Sequence, residues 1–230
     1  PEGRYVSSAK KLSNADPGDV VKFGVDPTGP VGGSLLANLI QNPSLMERVN
    51  QGREVGYIII IVGLFGIGVA FWKLFTLYNM GVAVKKQAKS KSHDQNNPLG
   101  RVLAVGEQHM GKDIETLELK LAEAIMAERP AIERGIPVVK IISVVAPLAG
   151  LLGTVTGMIV TFQQITLFGT GDPKIMAGGI SQALVTTVLG LVVAIPTTLL
   201  HSFANSSARG IINVLEEQST GIVAEHSDSK

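Results

Sequence analysis

The chain of 230 residues has no cysteine. That excludes disulfide frameworks, thiolate nucleophiles and cysteine-bound metals, while leaving the redox compartment open. Charge is also scarce. Only 17% of residues are charged and the formal net charge is +1, so no basic surface recommends nucleic acid as a partner. Aromatic residues are 5% of the total, with a single Trp. No P-loop, G-x-S-x-G or dinucleotide fingerprint occurs. His93, His109 and His226 have no second histidine one helical turn away, and only His109 has a carboxylate, Asp113, at such an offset. The expectation is therefore no metal, no cofactor and no enzyme. What remains is apolar: 45% hydrophobic residues and a mean hydropathy of +0.30, too greasy for an ordinary soluble domain.

The apolar residues are gathered in runs. Val55 to Trp72 carries no charge and continues through the single interruption at Lys73 to Tyr78, enough helix to cross a hydrocarbon core of roughly 30 Å. Tyr57, Trp72 and Tyr78 sit where interfacial aromatics are usual. No charge falls between Lys140 and Asp172, or between Lys174 and Arg209. The expected organisation is an all-α integral membrane protein with three transmembrane helices, at 55–78, 136–166 and 179–206, and long helical extensions outside the bilayer. The Gly/Pro-rich stretch at 167–178 joins the last two spans into an antiparallel hairpin.

Lys85, Lys86, Lys89, Lys91 and later basic residues follow span one, whereas the 167–178 loop offers only Lys174, so the 79–135 segment is expected in the cytoplasm. Parity then puts residues 1–54 outside and the 207–230 helix and tail inside, with Arg48 and Arg53 voting the other way. The first fifty residues show no basic stretch leading into an apolar one, and the chain reads as a mature or trimmed portion of a longer product. Ser44 to Glu47 has capping-box spacing and opens a short helix into span one. In the cytoplasmic segment Leu99, Val102, Leu103, Gly106 and Met110 share one helical face; Ile114, Leu117, Leu121, Ala124 and Ile125 share another, with Glu115, Glu118 and Glu123 outward. Lys85 to Asn97 reads as a solvated connector. Pro130 and Pro137 should interrupt the helix entering span two.

Two stripes of small residues stand out. Gly150, Thr154, Gly157 and Thr161 share a face of span two, and Ala183, Thr187, Gly190, Ala194, Thr197 and His201 share one of span three. One reading is close helix packing, with Gly153 and Gly157 as a GxxxG pair. The other is a narrow space lined by hydroxyls. Since no Asp or Glu lies in any span, a proton crossing here needs a carboxylate from another chain. Lys140 is expected to snorkel to the interface. His201, near the end of span three, suits interfacial placement or a proton exit. Pro196 should free a carbonyl and bend span three, with neighbouring hydroxyls compensating.

At Ala146 to Phe162 (APLAGLLGTVTGMIVTF) and Gly179 to Leu200 (GISQALVTTVLGLVVAIPTTLL) the sequence resembles the core of the MotA/TolQ/ExbB proton-channel family. Three spans with the large loop after the first make it more similar to ExbB and TolQ, including long ExbB-like subunits sometimes called TtpC. The resemblance implies a multi-pass protein of the Gram-negative inner membrane, N-terminus periplasmic and C-terminus cytoplasmic. It further implies a homopentamer around the single-span helices of an ExbD-like partner whose Asp relays protons. Such a motor works on a TonB-like protein to energise outer-membrane transport, or, TolQ-like, maintains the envelope. Thr154 and Thr187 match the family's pore-lining threonines, joined by Gln182, Thr161 and His201 as pathway candidates, while Gly150, Gly153, Gly157, Gly190 and Pro196 are packing candidates. Gln182 stands where ExbB and TolQ typically carry Glu, which leaves a nonconducting scaffold or adaptor as the competing reading.

Overall fold

The computed structural model describes residues 10–16, 18–21, 49–90, 94–169 and 173–228. The chain divides into two compact units, Pro1–Met46 and Glu47–Lys230. In the first, a helical turn at 10–13 is closed by Ser13 Oγ donating to the Lys10 carbonyl at 3.1 Å. The expected capping box at Ser44 to Glu47, and Arg48, lie outside the described residues.

Among the described residues the second unit has these long helices: α1 (Arg53–Gln87), α2 (Pro98–His109), α3 (Ile114–Glu133), α4 (Ile136–Phe168) and α5 (Pro173–Asp228). Three of these, α1, α4 and α5 from Met176, are long and apolar enough to cross a membrane. The α5 helix of 56 residues extends roughly 84 Å at the α-helical rise, far beyond a bilayer core, so span three and the expected C-terminal helix are one continuous rod. The hairpin connection is shorter than 167–178: α4 persists to Phe168, Gly169 caps it at φ +72°, and α5 has begun by Pro173.

Within the spans the core is thin and built on small residues. The α1 face turned inward is Gly52, Gly56, Ile59, Gly63, Gly66 and Ala70, then Lys73 and Leu77, a strict alternation of four and three. A methyl on Gly63 would fall 2.5 Å from Val193 Cγ2, and one on Gly66 2.8 Å from Ile142 Cγ2, so α1 can lie on α4 and α5 only because those side chains are absent. Bulky groups point away: Leu64, Phe65, Phe75, Leu148, Leu152, Leu184 and Val192 are all more than half exposed, as suits contact with acyl chains.

Outside the spans the pattern inverts, and a cluster of large apolar side chains forms a conventional core. Leu99, Val102 and Leu103 from α2 and Leu117, Leu121 and Ile125 from α3 meet Ala208, Ile211 and Leu215 from the far half of α5. The two apolar faces expected from helical spacing are therefore present, with Met110 left 42% exposed at the α2 terminus. Asn97 caps α2 by accepting from the Gly100 N–H at 2.8 Å, and Asp113 caps α3 by accepting from the Thr116 N–H at 2.9 Å. Arg101 grips Glu128 with two 2.7 Å hydrogen bonds, tying α2 to α3.

The connector expected to be solvated from Lys85 to Asn97 is exposed at its described residues except Gln87 and Asn97, residues 91–93 lying outside the described ones. Gln87 and Asn97 are each only 4% exposed, and Gln87 Oε1 accepts from Asn97 Nδ2 and the Asp94 N–H, so amides pin the ends of this segment together. The interruption before span two falls between the two prolines. The α3 helix runs through Pro130 to Glu133, Gly135 turns left-handed at φ +88°, and Pro137 enters α4 in its first turn, where a missing N–H costs nothing.

Candidate functional site

The α4–α5 hairpin places most of the candidate residues. Gly150, Gly153, Gly157 and Thr161 are buried on α4; Gln182, Ala183, Thr186, Gly190, Ala194 and Thr197 are buried on α5. A methyl on Gly190 would meet the Ala146 carbonyl oxygen at 2.8 Å and Gly150 Cα at 3.2 Å, so the two backbones touch. Gly153 receives the Thr186 side chain, which is fully buried and donates to the carbonyls of Gln182 and Ala183 at 3.1 and 2.9 Å. Thr161, 4% exposed, donates to the Gly157 carbonyl at 3.0 Å and covers Gly179.

Most of both expected stripes is therefore buried in the seam, and the exceptions are Thr154, Thr187 and His201, each partly exposed. Thr186, not Thr187, fills the seam, and Gly153, not Thr154, receives it. Thr154 and Thr187 each lie one residue, about 100°, further round than Gly153 and Thr186, at the edge of the seam, where Thr187 Cα is 3.2 Å from the place a Gly150 methyl would occupy. In an antiparallel pair equal rotations fall on the same flank, so both threonines border one side of the hairpin. That side is opposite α1, which approaches through Leu189, Val193 and Ile142. Thr154 Oγ1 donates to the Leu151 carbonyl at 2.6 Å, and Thr187 Oγ1 makes a long 3.5 Å contact with the Ala183 carbonyl. A hydroxyl that donates to its own helix keeps its lone pairs available to water or to an approaching donor.

Ser143 and Pro147 on α4 and Thr198, His201 and Asn205 on α5 fall on the same flank by helical rotation, each at least partly exposed. His201 stands roughly 21 Å beyond Thr187 along α5. The flank thus sets hydroxyl, amide and imidazole groups among apolar ones, with Met158, Ile180 and Leu191 exposed beside them by the same rotation. Pro196 sits inside unbroken α5 beside this strip; Thr197 and Thr198 donate to the carbonyls of Val193 and Ala194 at 2.8 and 2.7 Å, one and two residues past the carbonyl it orphans.

Gln182 is elsewhere. It is 8% exposed and lines a polar cleft of about 290 Å³ with Asn50, Gln51, Arg53, Gln164 and Ser181, on the α1 side of the hairpin. Ser181 Oγ donates to Gln51 Oε1 at 3.1 Å there, and Tyr57 donates to Asn50 at 2.5 Å. Gln182 therefore does not share a surface with Thr154 and Thr187.

Sequence reasoning passed over three features. The α1 glycine stripe is written in the sequence at Gly56, Gly63, Gly66 and Ala70, seven, three and four residues apart, within a run whose uniform hydropathy hides the period. Pro147, inside α4, adds a second helix-interior proline to the hairpin. Lys73 is 2% exposed and donates to the Ala131 carbonyl at 3.2 Å, in the last turn of α3, where a helix leaves carbonyls without partners. Lys140, by contrast, is exposed, His109 contacts the Val105 carbonyl at 2.8 Å and His226 contacts that of Lys112 at 3.0 Å. His93 lies outside the described residues, among which no group of three potential metal ligands occurs.

Comparison with known proteins finds that residues 94–217 match the model of the MotA/TolQ/ExbB proton channel family. A putative biopolymer transport protein ExbB homolog of Methanothermobacter thermautotrophicus is 26% identical over 189 residues, covering 75% of this chain and 67% of that protein. The putative biopolymer transport protein ExbB-like 1 of Synechocystis is 29% identical over 175 residues, 68% of this chain and 69% of its own length. The biopolymer transport protein ExbB of Aquifex aeolicus is 48% identical over a shorter stretch of 58 residues, 25% of this chain and 39% of that one.

Proposed function

The chain belongs to the MotA/TolQ/ExbB proton channel family, and from that premise we propose that it is the ExbB-type subunit of a proton-driven motor in the inner membrane. Several copies, five by family resemblance, surround the single-span helices of an ExbD-like partner, and the assembly drives a TonB-like protein. The observation that carries this reading is the strip at Thr154 and Thr187. It is the flank of the hairpin that α1 leaves uncovered, and it carries hydroxyl, amide and imidazole groups among its apolar ones, where lipid contact alone favours bulk and greasiness.

In this assembly the chain supplies a sleeve. Its hydroxyls hold water or a partner helix in register, and the titrating carboxylate comes from the partner, because none lies in the three spans. The orientation is N-terminus periplasmic and C-terminus cytoplasmic, which puts His201 near the exit side and the α2–α3 helices in the cytoplasm. The name biopolymer transport protein, carried by the relatives, fits work delivered to outer-membrane transport.

Proton flux into liposomes holding this chain with its partner tests the reading. Thr154→Val and Thr187→Val each remove a hydroxyl at nearly constant shape, and each lowers flux about fivefold, the equivalent of about 1 kcal/mol per hydrogen bond. Unchanged flux in both removes the pore assignment. One observation favours the scaffold reading: Gln182 cannot exchange a proton and sits in the Gln51 cleft, away from the strip. Gradient-independent complementation is its signature, as it is of a TolQ-like subunit only if the Tol pathway is the one restored.

A further inference from the structure

The far halves of α3 and α5 enclose a second cleft, of about 230 Å³, whose floor is Leu121, Ile125 and Val223. Glu118 and Glu216 stand at its rim, both exposed, and Ser219 lines it from within. Ser219 is 6% exposed, and its Oγ is the one fully buried side-chain polar atom among the described residues with no hydrogen-bond partner. A buried hydroxyl left unpaired costs roughly 1–3 kcal/mol, so an orphan lining an open cleft points to a missing donor or acceptor.

We propose that this cleft binds the cationic side chain of a basic segment from a partner protein. An ammonium group has three donors; the Glu118 and Glu216 carboxylates at the rim accept from it above a floor on which an aliphatic stem can lie, with the unpaired Ser219 hydroxyl beneath. Pockets for drug-sized ligands run about 300–1,000 Å³, so the space suits one long side chain and not a cofactor. The charge is complementary: α3 and the last turns of α5 from Ile211 carry nine carboxylates against two cationic side chains, Lys120 and Arg129. Arg129 lies 3.8 Å from Glu216, beyond hydrogen-bond range, with both groups about half exposed, so it is readily displaced.

A free amine is a poorer occupant than a protein segment. Leu119 and Met126, seven residues apart on α3 and beside the Glu118 rim, are 69% and 70% exposed. Glu216 lies roughly 20 Å along α5 beyond Phe203, so these apolar groups do not face acyl chains. An amphipathic basic helix would cover both while delivering its cation to the cleft.

The full chain in phosphatidylcholine nanodiscs, with empty nanodiscs subtracted, is titrated with a short fluorescein-labelled peptide carrying lysine and leucine at helical spacing. The wild type binds it and does not bind the glutamate-for-lysine counterpart. Glu118→Gln with Glu216→Gln weakens binding roughly tenfold, the scale of a lost charge-assisted hydrogen bond. Ala122→Trp, which fills the cleft and leaves its charge, weakens it as much. The control pair Glu115→Gln with Glu123→Gln stays within twofold. Equal losses in the control pair, full binding in Ala122→Trp or no binding by the wild type overturns the proposal. Self-association abolished by Ala122→Trp overturns it too, since the occupant is then a second copy.

Discussion

Replacing Gly153 by alanine puts a methyl group into Thr186. The new Cβ falls against the Oγ1 and Cβ of that threonine and 2.7 Å from its Cγ2. Thr186 cannot swing aside, because its β-branched side chain is stiff and its hydroxyl is committed to the carbonyls of Gln182 and Ala183. The helices must part by about 1 Å, a gap that forfeits a quarter to a half of the dispersion energy along the seam. Overpacking of this kind costs about 1–3 kcal/mol, and in lipid no hydrophobic gain offsets it. Thr186→Gly removes all three obstructing atoms, so the double variant closes again, less about 1 kcal/mol for glycine in a helix. Gly190→Ala is the contrast: its obstacles are the Ala146 carbonyl and Gly150 Cα, so no side-chain truncation relieves it. The chain lacks cysteine, so Phe162→Cys and Leu184→Cys, both exposed sites, accept a dye pair across the hairpin. Reversible unfolding in sodium dodecyl sulfate, read by energy transfer, gives the double-mutant cycle. A Gly153→Ala variant within about 0.5 kcal/mol of wild type, or a coupling with Thr186→Gly near zero, refutes the packing described here.

Two further substitutions test how the helices are joined. Lys73→Met keeps the buried stem and loses one hydrogen bond along with a buried charge, so stability stays within about 1 kcal/mol of wild type, whereas Lys73→Ala opens a cavity and costs about 2–3 kcal/mol in the same titration. Gly135→Ala costs about 1–2 kcal/mol, because φ is +88° and the added Cβ otherwise meets only Val69 and Trp72 at ordinary distances. Gly135→Asn should cost less, and equal losses would move the cause from backbone to packing.

Much of the architecture was legible because it follows from local patterns. Three charge-free runs announce three helices able to cross a membrane, since charge in hydrocarbon is costly wherever it falls. The faces of α2 and α3 followed from spacing alone, and Leu99, Val102, Leu103, Leu117, Leu121 and Ile125 are buried on them, while Met110 is exposed. Helix ends were less legible. Lys85 to Asn97 reads as polar and solvated, yet Gln87 and Asn97 are buried because each satisfies the other, and a pairing ten residues apart leaves no periodic trace. The stripe of span two was drawn through Gly150, Thr154, Gly157 and Thr161, of which Thr154 alone is not buried; one residue turns a side chain by about 100°, and only the neighbouring helix decides which small residue meets which.

By itself the sequence determined that this is a helical membrane protein with an antiparallel hairpin and no carboxylate in its spans, because composition and period are properties of a single chain. Tertiary structure decided that Thr186 is consumed in the seam while Thr154 and Thr187 border the open flank, that Gln182 belongs to a separate cleft, and that Lys73 caps the end of α3. Those outcomes depend on the rotation of one helix against another. That rotation is fixed where glycines let backbones touch, a contact between residues such as Ala146 and Gly190 that are distant in the chain.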